Sequence, residues 1–184
     1  MEQSAYNVHS LYIYPLKSAK GIQVTQAEAF PEGFKHDREW MVIDSKGKFM
    51  SQRLHPKMGS IKTAITPEGV TLSAPDLPEI IIPFEAEGEV KEGIIWDDKC
   101  QVQEVSRGHS DWISTFMGEK CSIVRMKKGE IRLVDPRYKV TDQDNTLFVD
   151  GFPLPLCCDS LSERPLDANR DGARYDPIQA QYRD

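Results

Sequence analysis

Long apolar runs are missing from this sequence of 184 residues. A membrane-spanning helix needs about 18 or more consecutive apolar residues, and no stretch comes near that length. The first ten residues, MEQSAYNVHS, also lack the cationic start and apolar core of a secretory signal and the arginines of a transit peptide. We therefore expect a cytoplasmic protein that binds no membrane.

Basic residues are in the minority. Lys and Arg number 23 against 29 Asp and Glu, which gives a formal net charge of -6. Proteins that bind nucleic acid meet the phosphate backbone with clustered Lys and Arg. The charge balance argues against a nucleic-acid partner, so any site for an anion has to be local.

Cysteine and histidine are scarce and poorly spaced for metal or thiol chemistry. Neither type forms a CxxC pair or the short Cys/His spacing of zinc sites. We expect reduced thiols and surface imidazoles, and no metal site. The residues concerned are Cys100, Cys121, Cys157, Cys158, His9, His36, His55 and His109.

Common signatures of nucleophilic and nucleotide-binding enzymes are also absent. The sequence contains no GxSxG elbow, no GxxxxGK[ST] loop and no GxGxxG turn. Serine-type hydrolysis, nucleotide hydrolysis and dinucleotide redox chemistry are therefore poorly supported.

Short strand-like segments are what the sequence does contain. Stretches rich in β-branched and aromatic residues alternate with turn-forming clusters at spacings of about 8–12 residues. The predicted strands are 8–14, 21–30, 40–44, 49–53, 61–66, 70–74, 79–84, 90–96, 100–105 and 121–126. This pattern predicts an all-β or β-rich α+β protein, an antiparallel barrel or a sandwich.

One segment has the periodicity of an amphipathic helix. Ser110 is predicted to cap it and Gly118 to end it. Its apolar face consists of Trp112, Ile113, Phe116 and Met117. Because a single short helix cannot cover an open sheet, we favour the barrel.

The last third of the chain has a different character. Residues 127–145 are polar and predict a long loop, whereas residues 148–158 are apolar again. In residues 157–184 charged and turn-forming residues dominate, which predicts a disordered tail. The expected domain is therefore 1–156.

The loop at residues 15–21 contains the parts of a small anion site. Pro15 ends a predicted strand, Lys17 supplies a positive charge, Ser18 supplies a hydroxyl and Gly21 supplies backbone freedom. A solvated loop is the competing interpretation, since lysine is mostly exposed in proteins.

Two arginines add to this candidate site. Arg38 precedes the strand at 40–44, and its planar fork suits bidentate phosphate binding, although an ion pair with Asp37 or Glu39 is an equal alternative. Arg53 ends a predicted hairpin with its turn near residue 47, which would place it opposite Trp40 and close to Arg38.

Several stretches taken together carry a family resemblance. They are LYIYPLKSAKG (11–21), HDREWMVID (36–44), QR (52–53), DWISTF (111–116) and FVDGFPL (148–154). In this order they resemble the N-terminal β-barrel domain of MOSC proteins, the molybdenum-cofactor family that includes the C-terminal part of molybdenum cofactor sulfurases and the amidoxime-reducing enzymes. The likeness runs from about residue 8 to about residue 156.

This resemblance implies a role for the candidate residues. Lys17, Ser18 and Arg38 match the positions that hold the pterin phosphate of the molybdenum cofactor (molybdopterin). Arg53 matches the family's Q-R position, which implies either a cofactor contact or a brace for the hairpin. Ala19 stands where relatives often have cysteine, and its small side chain should preserve the loop.

The resemblance also implies that part of the cofactor site is missing. In relatives a MOSC core follows the DGFPL passage and carries the cysteine that binds molybdenum, and neither Cys157 nor Cys158 matches it. We therefore expect a short or truncated MOSC N-terminal barrel that anchors the pterin phosphate without catalysing a reaction by itself, or that holds no cofactor at all.

Two other functions stay open. The chain could be a non-catalytic interaction or substrate-recruiting module with a vestigial anion site. It could instead be a molybdenum-dependent oxidoreductase or sulfurtransferase of the amidoxime-reducing type that uses Cys157 or Cys158. The expected partners are a MOSC core domain, a redox partner protein or a second copy of the chain, with residues 148–156 as an exposed docking segment.

Overall fold

A computed structural model describes residues 8–137 and 139–155. Its strands are β1 (Leu11–Ile13), β2 (Ile22–Val24), β3 (Ala29–Phe30), β4 (Gly33–Phe34), β5 (Trp40–Asp44), β6 (Lys62–Ile65), β7 (Gly69–Ser73), β8 (Ile80–Pro83), β9 (Val90–Ile95), β10 (Asp98–Glu104) and β11 (Cys121–Met126). The α-helix found in these residues is α1 (Arg107–Met117), and a short 3₁₀ helix spans Pro56–Ser60. The predicted β-rich fold with one amphipathic helix is confirmed.

The strands form antiparallel sheets that curl into a half barrel. The largest sheet has the order β5-β11-β10-β9, and a second has the order β6-β7-β8. Two small hairpins, β1-β2 and β3-β4, complete the set. The predicted turns within 61–84 and within 90–105 therefore each join two strands that are neighbours in a sheet. By internal packing the chain divides after Pro153, and every strand and helix named here lies before that point.

Strand β5 is buried on both faces. Successive side chains of a strand point to opposite sides, so Trp40 and Val42 enter one apolar cluster while Met41 and Ile43 enter another. The first cluster also receives the apolar face of α1, and the second receives Phe148 from the distant end of the domain. This strand is therefore the centre of the core.

The helix begins earlier than predicted. Ser106, not Ser110, is its N-cap, and the Ser106 hydroxyl accepts from the His109 N–H. Ser110 lies inside the helix and is buried. Serine is a favoured N-cap residue at either position. The first turn of the helix, 107–109, contains no apolar residue, so the apolar periodicity does not reveal where the helix begins. The predicted end is confirmed, because Gly118 has a φ of 74° and donates to the Ser114 carbonyl.

The strand predicted at 49–53 pairs with β5 only through its first two residues, so the predicted hairpin is wrong beyond them. Phe49 bridges Ile43, and the Met50 N–H donates to the Val42 carbonyl at 2.8 Å. Farther along, both main-chain groups of Trp40 are already used, since its carbonyl accepts from Lys17 and its N–H donates to Pro15. Residues 51–54 consequently turn away, and Arg53 does not lie opposite Trp40.

The single strand predicted at 21–30 is divided. Its first part pairs with β1 as β2, and its last part pairs across the turn at 31–32 as β3 with β4. Turn residues at Pro31 and Gly33 were recognised, but the interruption at 25–28 carries no glycine or proline that would have marked it.

Residues 146–150, called here the closing segment, return to the barrel after the long loop. The Phe148 N–H donates to the Arg38 carbonyl at 3.2 Å, and Arg132 donates to the Leu147 and Val149 carbonyls at 3.0 and 2.9 Å. Phe148 and Val149 are buried. The prediction of an exposed docking segment at 148–156 is therefore wrong for Phe148 and Val149, whereas Phe152 and Leu154 farther along are half exposed.

The tail at 157–184, including Cys157 and Cys158, lies outside the described residues. Over the described ranges, no helix combines the length and apolarity needed to cross a bilayer.

Candidate functional site

Lys17 is a buried cation. The preceding residue, Leu16, forms a β-bridge with Trp40, so the main chain of Lys17 lies against β5. Only 7% of Lys17 is exposed. Its ammonium group donates to the Phe148 carbonyl at 2.7 Å and to Oδ1 of Asp150, and it lies 5.3 Å from the centre of the Phe49 ring. The interpretation of Lys17 as an ordinary surface lysine is wrong.

Asp150 is the centre of the cluster around Lys17. Arg53 donates to its Oδ2 at 2.7 Å, and the Trp96 indole N–H lies 3.3 Å from its Oδ1. We call Lys17, Arg53, Trp96 and Asp150 the Asp150 cluster. Sequence reasoning missed Trp96 and Asp150 as site residues, although an acidic residue inside the apolar run FVDGFPL was a usable signal.

The turn after Lys17 is strained. The Ala19 N–H donates to the Leu16 carbonyl at 3.0 Å, and Ser18, half buried, has a φ of 70°. Few residues other than glycine adopt positive φ, and such positions concentrate at ligand sites. Arg38 also has a positive φ of 50°. Two of the predicted phosphate-binding residues thus share an unusual backbone conformation.

Arg38 is paired within its own segment. Its guanidinium binds Oδ2 of Asp37 and lies 4.9 Å from the centre of the Tyr14 ring. Asp37 in turn accepts from the Tyr14 N–H at 2.7 Å. The ion pair that the sequence left open is therefore present, and it keeps a buried arginine next to the strand that precedes Lys17.

Charges in this region alter one another's pKa. Burial, assisted by the nearby charges of Arg38 and Arg132, lowers the pKa of Lys17 to about 8 against the opposing influence of Asp150. Burial raises the pKa of Asp150, but Lys17 and Arg53 outweigh it and the net pKa is lowered. Burial raises the pKa of Asp37 despite its contact with Arg38. Lys17 is thus a cation whose charge depends on a nearby anion.

The ammonium of Lys17 is expected to titrate near pH 8 when the side chain is followed by NMR through its ε-methylene signal. Asp150→Asn should lower this midpoint, because the carboxylate raises the pKa of Lys17. Since the pKa in the folded chain lies below the ordinary 10.5, the folded state binds this proton less tightly. This group should therefore make the free energy of unfolding rise between about pH 8 and 10.5.

A matched control for that titration is Asp76→Asn, which removes one negative charge at an exposed position with a φ of 63° that asparagine tolerates. It should leave the Lys17 midpoint at about 8. A wild-type midpoint near 10.5 would show that burial does not lower the pKa of Lys17 beyond what Asp150 restores.

The arrangement is suited to holding an anion. Two cations and an indole N–H converge on one carboxylate, and charge-assisted hydrogen bonds of this kind are strong and directional. Elsewhere, Cys100 and Cys121 are buried free thiols, and burial raises the pKa of each to about 11, so neither is a thiolate at neutral pH. No group of three or more potential metal ligands occurs among the described residues.

Comparison with known proteins gives a family match. The model of the family described as MOSC N-terminal beta barrel domain matches residues 5–120. Human "Molybdenum cofactor sulfurase" is 27% identical over 130 residues, which cover 68% of this chain and 15% of that protein. Mouse "Mitochondrial amidoxime-reducing component 1" is 26% identical over 176 residues, which cover 90% of this chain and 50% of that protein. The chain therefore spans half the length or less of these relatives.

Proposed function

Because the chain belongs to the MOSC N-terminal beta barrel domain family, we propose that it anchors the phosphate of molybdopterin and does not catalyse a reaction by itself. The residues that would hold the phosphate are Lys17, Ser18 and Arg38, with Arg53 as a fourth contact. The names of its relatives, a molybdenum cofactor sulfurase and an amidoxime-reducing component, support the choice of ligand.

The buried ammonium of Lys17 is the observation that carries the proposal. Removing a charged amine from water is costly unless an anion accompanies it. Lys17 lies at a strained turn, next to a half-buried hydroxyl on Ser18. A terminal phosphate, with its several acceptor oxygens, fits this set of donors.

Each residue has a separate task in this proposal. Lys17 supplies charge, and the Ser18 hydroxyl donates one hydrogen bond. Arg38 supplies a planar pair of donors for two phosphate oxygens, for which Asp37 is the present competitor. These groups bind and orient the ligand, and none of them changes its oxidation state.

In this proposal, any catalysis takes place only when the chain is associated with another domain or protein. When bound, the molybdenum cofactor supplies redox or sulfur-transfer chemistry, and the metal needs ligands beyond a phosphate anchor. The chain spans half the length or less of the relatives named above. The proposal therefore includes a MOSC core domain or a redox protein as partner.

A second function, a non-catalytic interaction module with a vestigial anion site, is favoured by one observation. Asp150 already neutralises part of the charge on Lys17 and Arg53. If that neutralisation is permanent, the cluster serves stability alone and no external anion binds.

Titration with a fluorescent oxidised pterin derived from molybdopterin tests the first function. The protein is expected to bind the phosphorylated pterin saturably and the dephosphorylated pterin far more weakly. Hydrogen bonds to charged groups contribute about 1.5–3 kcal/mol, so Lys17→Ala and Arg38→Ala should each weaken binding by roughly tenfold or more.

Lys46→Ala, at an exposed turn, is the matched control and should bind as the wild type does. Absence of saturable binding, or binding that both site variants leave unchanged, would refute the phosphate anchor and favour the interaction module.

A further inference from the structure

The Asp150 cluster has the form of an occupied ligand site. Its three donors come from separate parts of the chain: Lys17 from the loop after β1, Arg53 from the turn before the 3₁₀ helix, and Trp96 from the turn between β9 and β10. All three converge on the two oxygens of one carboxylate. Such convergence is how proteins bind carboxylate and phosphate ligands.

The donors are held by contacts other than Asp150. The Arg53 guanidinium lies 5.0 Å from the Trp96 ring centre, and the rings of Trp96 and Phe49 are 5.0 Å apart at an angle of 60°. Lys17 lies over the opposite part of this aromatic group, 5.3 Å from Phe49, and also donates to the Phe148 carbonyl. The three donors should therefore stay in place when the carboxylate leaves.

Asp150 lies at the end of the closing segment. The closing segment is anchored by buried Phe148 and Val149 and by Arg132, whereas Asp150 follows those anchors and precedes Gly151, whose backbone is permissive. The exchange described below requires only that the Asp150 side chain rotates away from the donors, with Phe148 and Val149 staying in the core.

We infer that Lys17, Arg53 and Trp96 form one oxyanion-binding site in which Asp150 is an internal ligand, and that a phosphate group binds there in competition with Asp150. This inference rests on the proposed function for the identity of the ligand, adds Trp96 to its site, and pairs Arg53 with Lys17 as the cations that hold the phosphate. It also gives that site a built-in competitor.

Charge complementarity supports the exchange. Lys17 and Arg53 are both cations that already bind a carboxylate, and a phosphate monoester is an anion that suits the same two groups. The neighbouring charges are already compensated, since Arg38 pairs with Asp37 and Arg132 with Asp98. The low pKa of Lys17 fits a cation that always needs one anion or another at this position.

Asp150→Asn tests the competition directly, because asparagine keeps the shape of the side chain and removes its charge. Binding of inorganic phosphate, measured by calorimetry, is expected to become roughly tenfold tighter than in the wild type, and Arg53→Gln added to Asp150→Asn should reverse most of that gain. Asp76→Asn, which changes the net charge equally at an exposed turn, should show no such gain.

Phosphate added to wild-type protein supplies a second readout that needs no variant. The Trp96 indole N–H resonance should shift in step with binding as Asp150 leaves it. If this resonance does not respond and Asp150→Asn binds phosphate no better than Asp76→Asn, the competition is refuted and the cluster is a structural ion pair.

The two proposals can fail separately. Tighter phosphate binding by Asp150→Asn without any binding of the phosphorylated pterin would reject the molybdopterin anchor but retain the oxyanion site. Pterin binding that depends on Lys17 and Arg38 but is unaffected by Asp150→Asn would retain the anchor and reject the competition.

Discussion

Phe148→Ala is expected to lower the free energy of unfolding by about 3–5 kcal/mol, as large-to-small changes of buried phenylalanine commonly do. Phe148 is fully buried in the cluster that contains Met41, Ile43 and Val124. Its removal would leave a cavity at the point where the closing segment joins the barrel. Urea unfolding followed by tryptophan fluorescence measures the change.

Phe152→Ala is the matched control for this loss. The side chain is of the same type but half exposed, so its truncation should cost less than about 1 kcal/mol, as most changes at exposed positions do. Equal effects of the two substitutions would show that Phe148 does not anchor the closing segment. Phe148→Ala should also weaken the Asp150 cluster, because Asp150 lies two residues after Phe148 in the closing segment.

Asp37→Ala is expected to lower the free energy of unfolding by about 3–5 kcal/mol, because it leaves a buried arginine without its counter-charge. Arg38 is 8% exposed and bonds Asp37, which also accepts from the Tyr14 N–H. The substitution removes both contacts. Chemical denaturation at neutral pH measures the difference.

A double-mutant cycle separates the ion pair from packing. Asp37→Ala combined with Arg38→Met should cost less than the sum of the two single changes, since each single variant leaves one unpaired buried charge and the double variant leaves none. Asp111→Ala, which breaks an exposed pair with Arg107, should cost less than about 1 kcal/mol. Strict additivity in the cycle would contradict the coupling of Asp37 and Arg38.

Local sequence patterns predicted most of the β structure. Strand β5 and the strands from β6 to β11 coincide with short segments of continuous or alternating apolar residues bounded by glycine, proline or aspartate turns. These signals depend only on residues close together in the sequence. The C-cap at Gly118 was equally local. The family resemblance, confirmed by the match to residues 5–120, added the barrel as a named fold.

Contacts between distant residues were beyond such patterns. The failure of the predicted hairpin after Met50 arises because residues 15–17 already bind the main chain of Trp40, and no local property of Arg53 reveals that competition. Arg53 was selected for a contact near Arg38, but its carboxylate partner lies 97 positions away. The selection of Lys17, Ser18 and Arg38 as ligands stays a prediction.

The bond from Lys17 to the Phe148 carbonyl joins residues 131 positions apart. Closing a loop of that size costs chain entropy, and contacts of such long range slow folding. During synthesis the loop after β1 leaves the ribosome well before its partner does, so the ammonium of Lys17 stays hydrated until the domain is nearly complete. The Asp150 cluster is therefore among the last features that a newly made chain acquires.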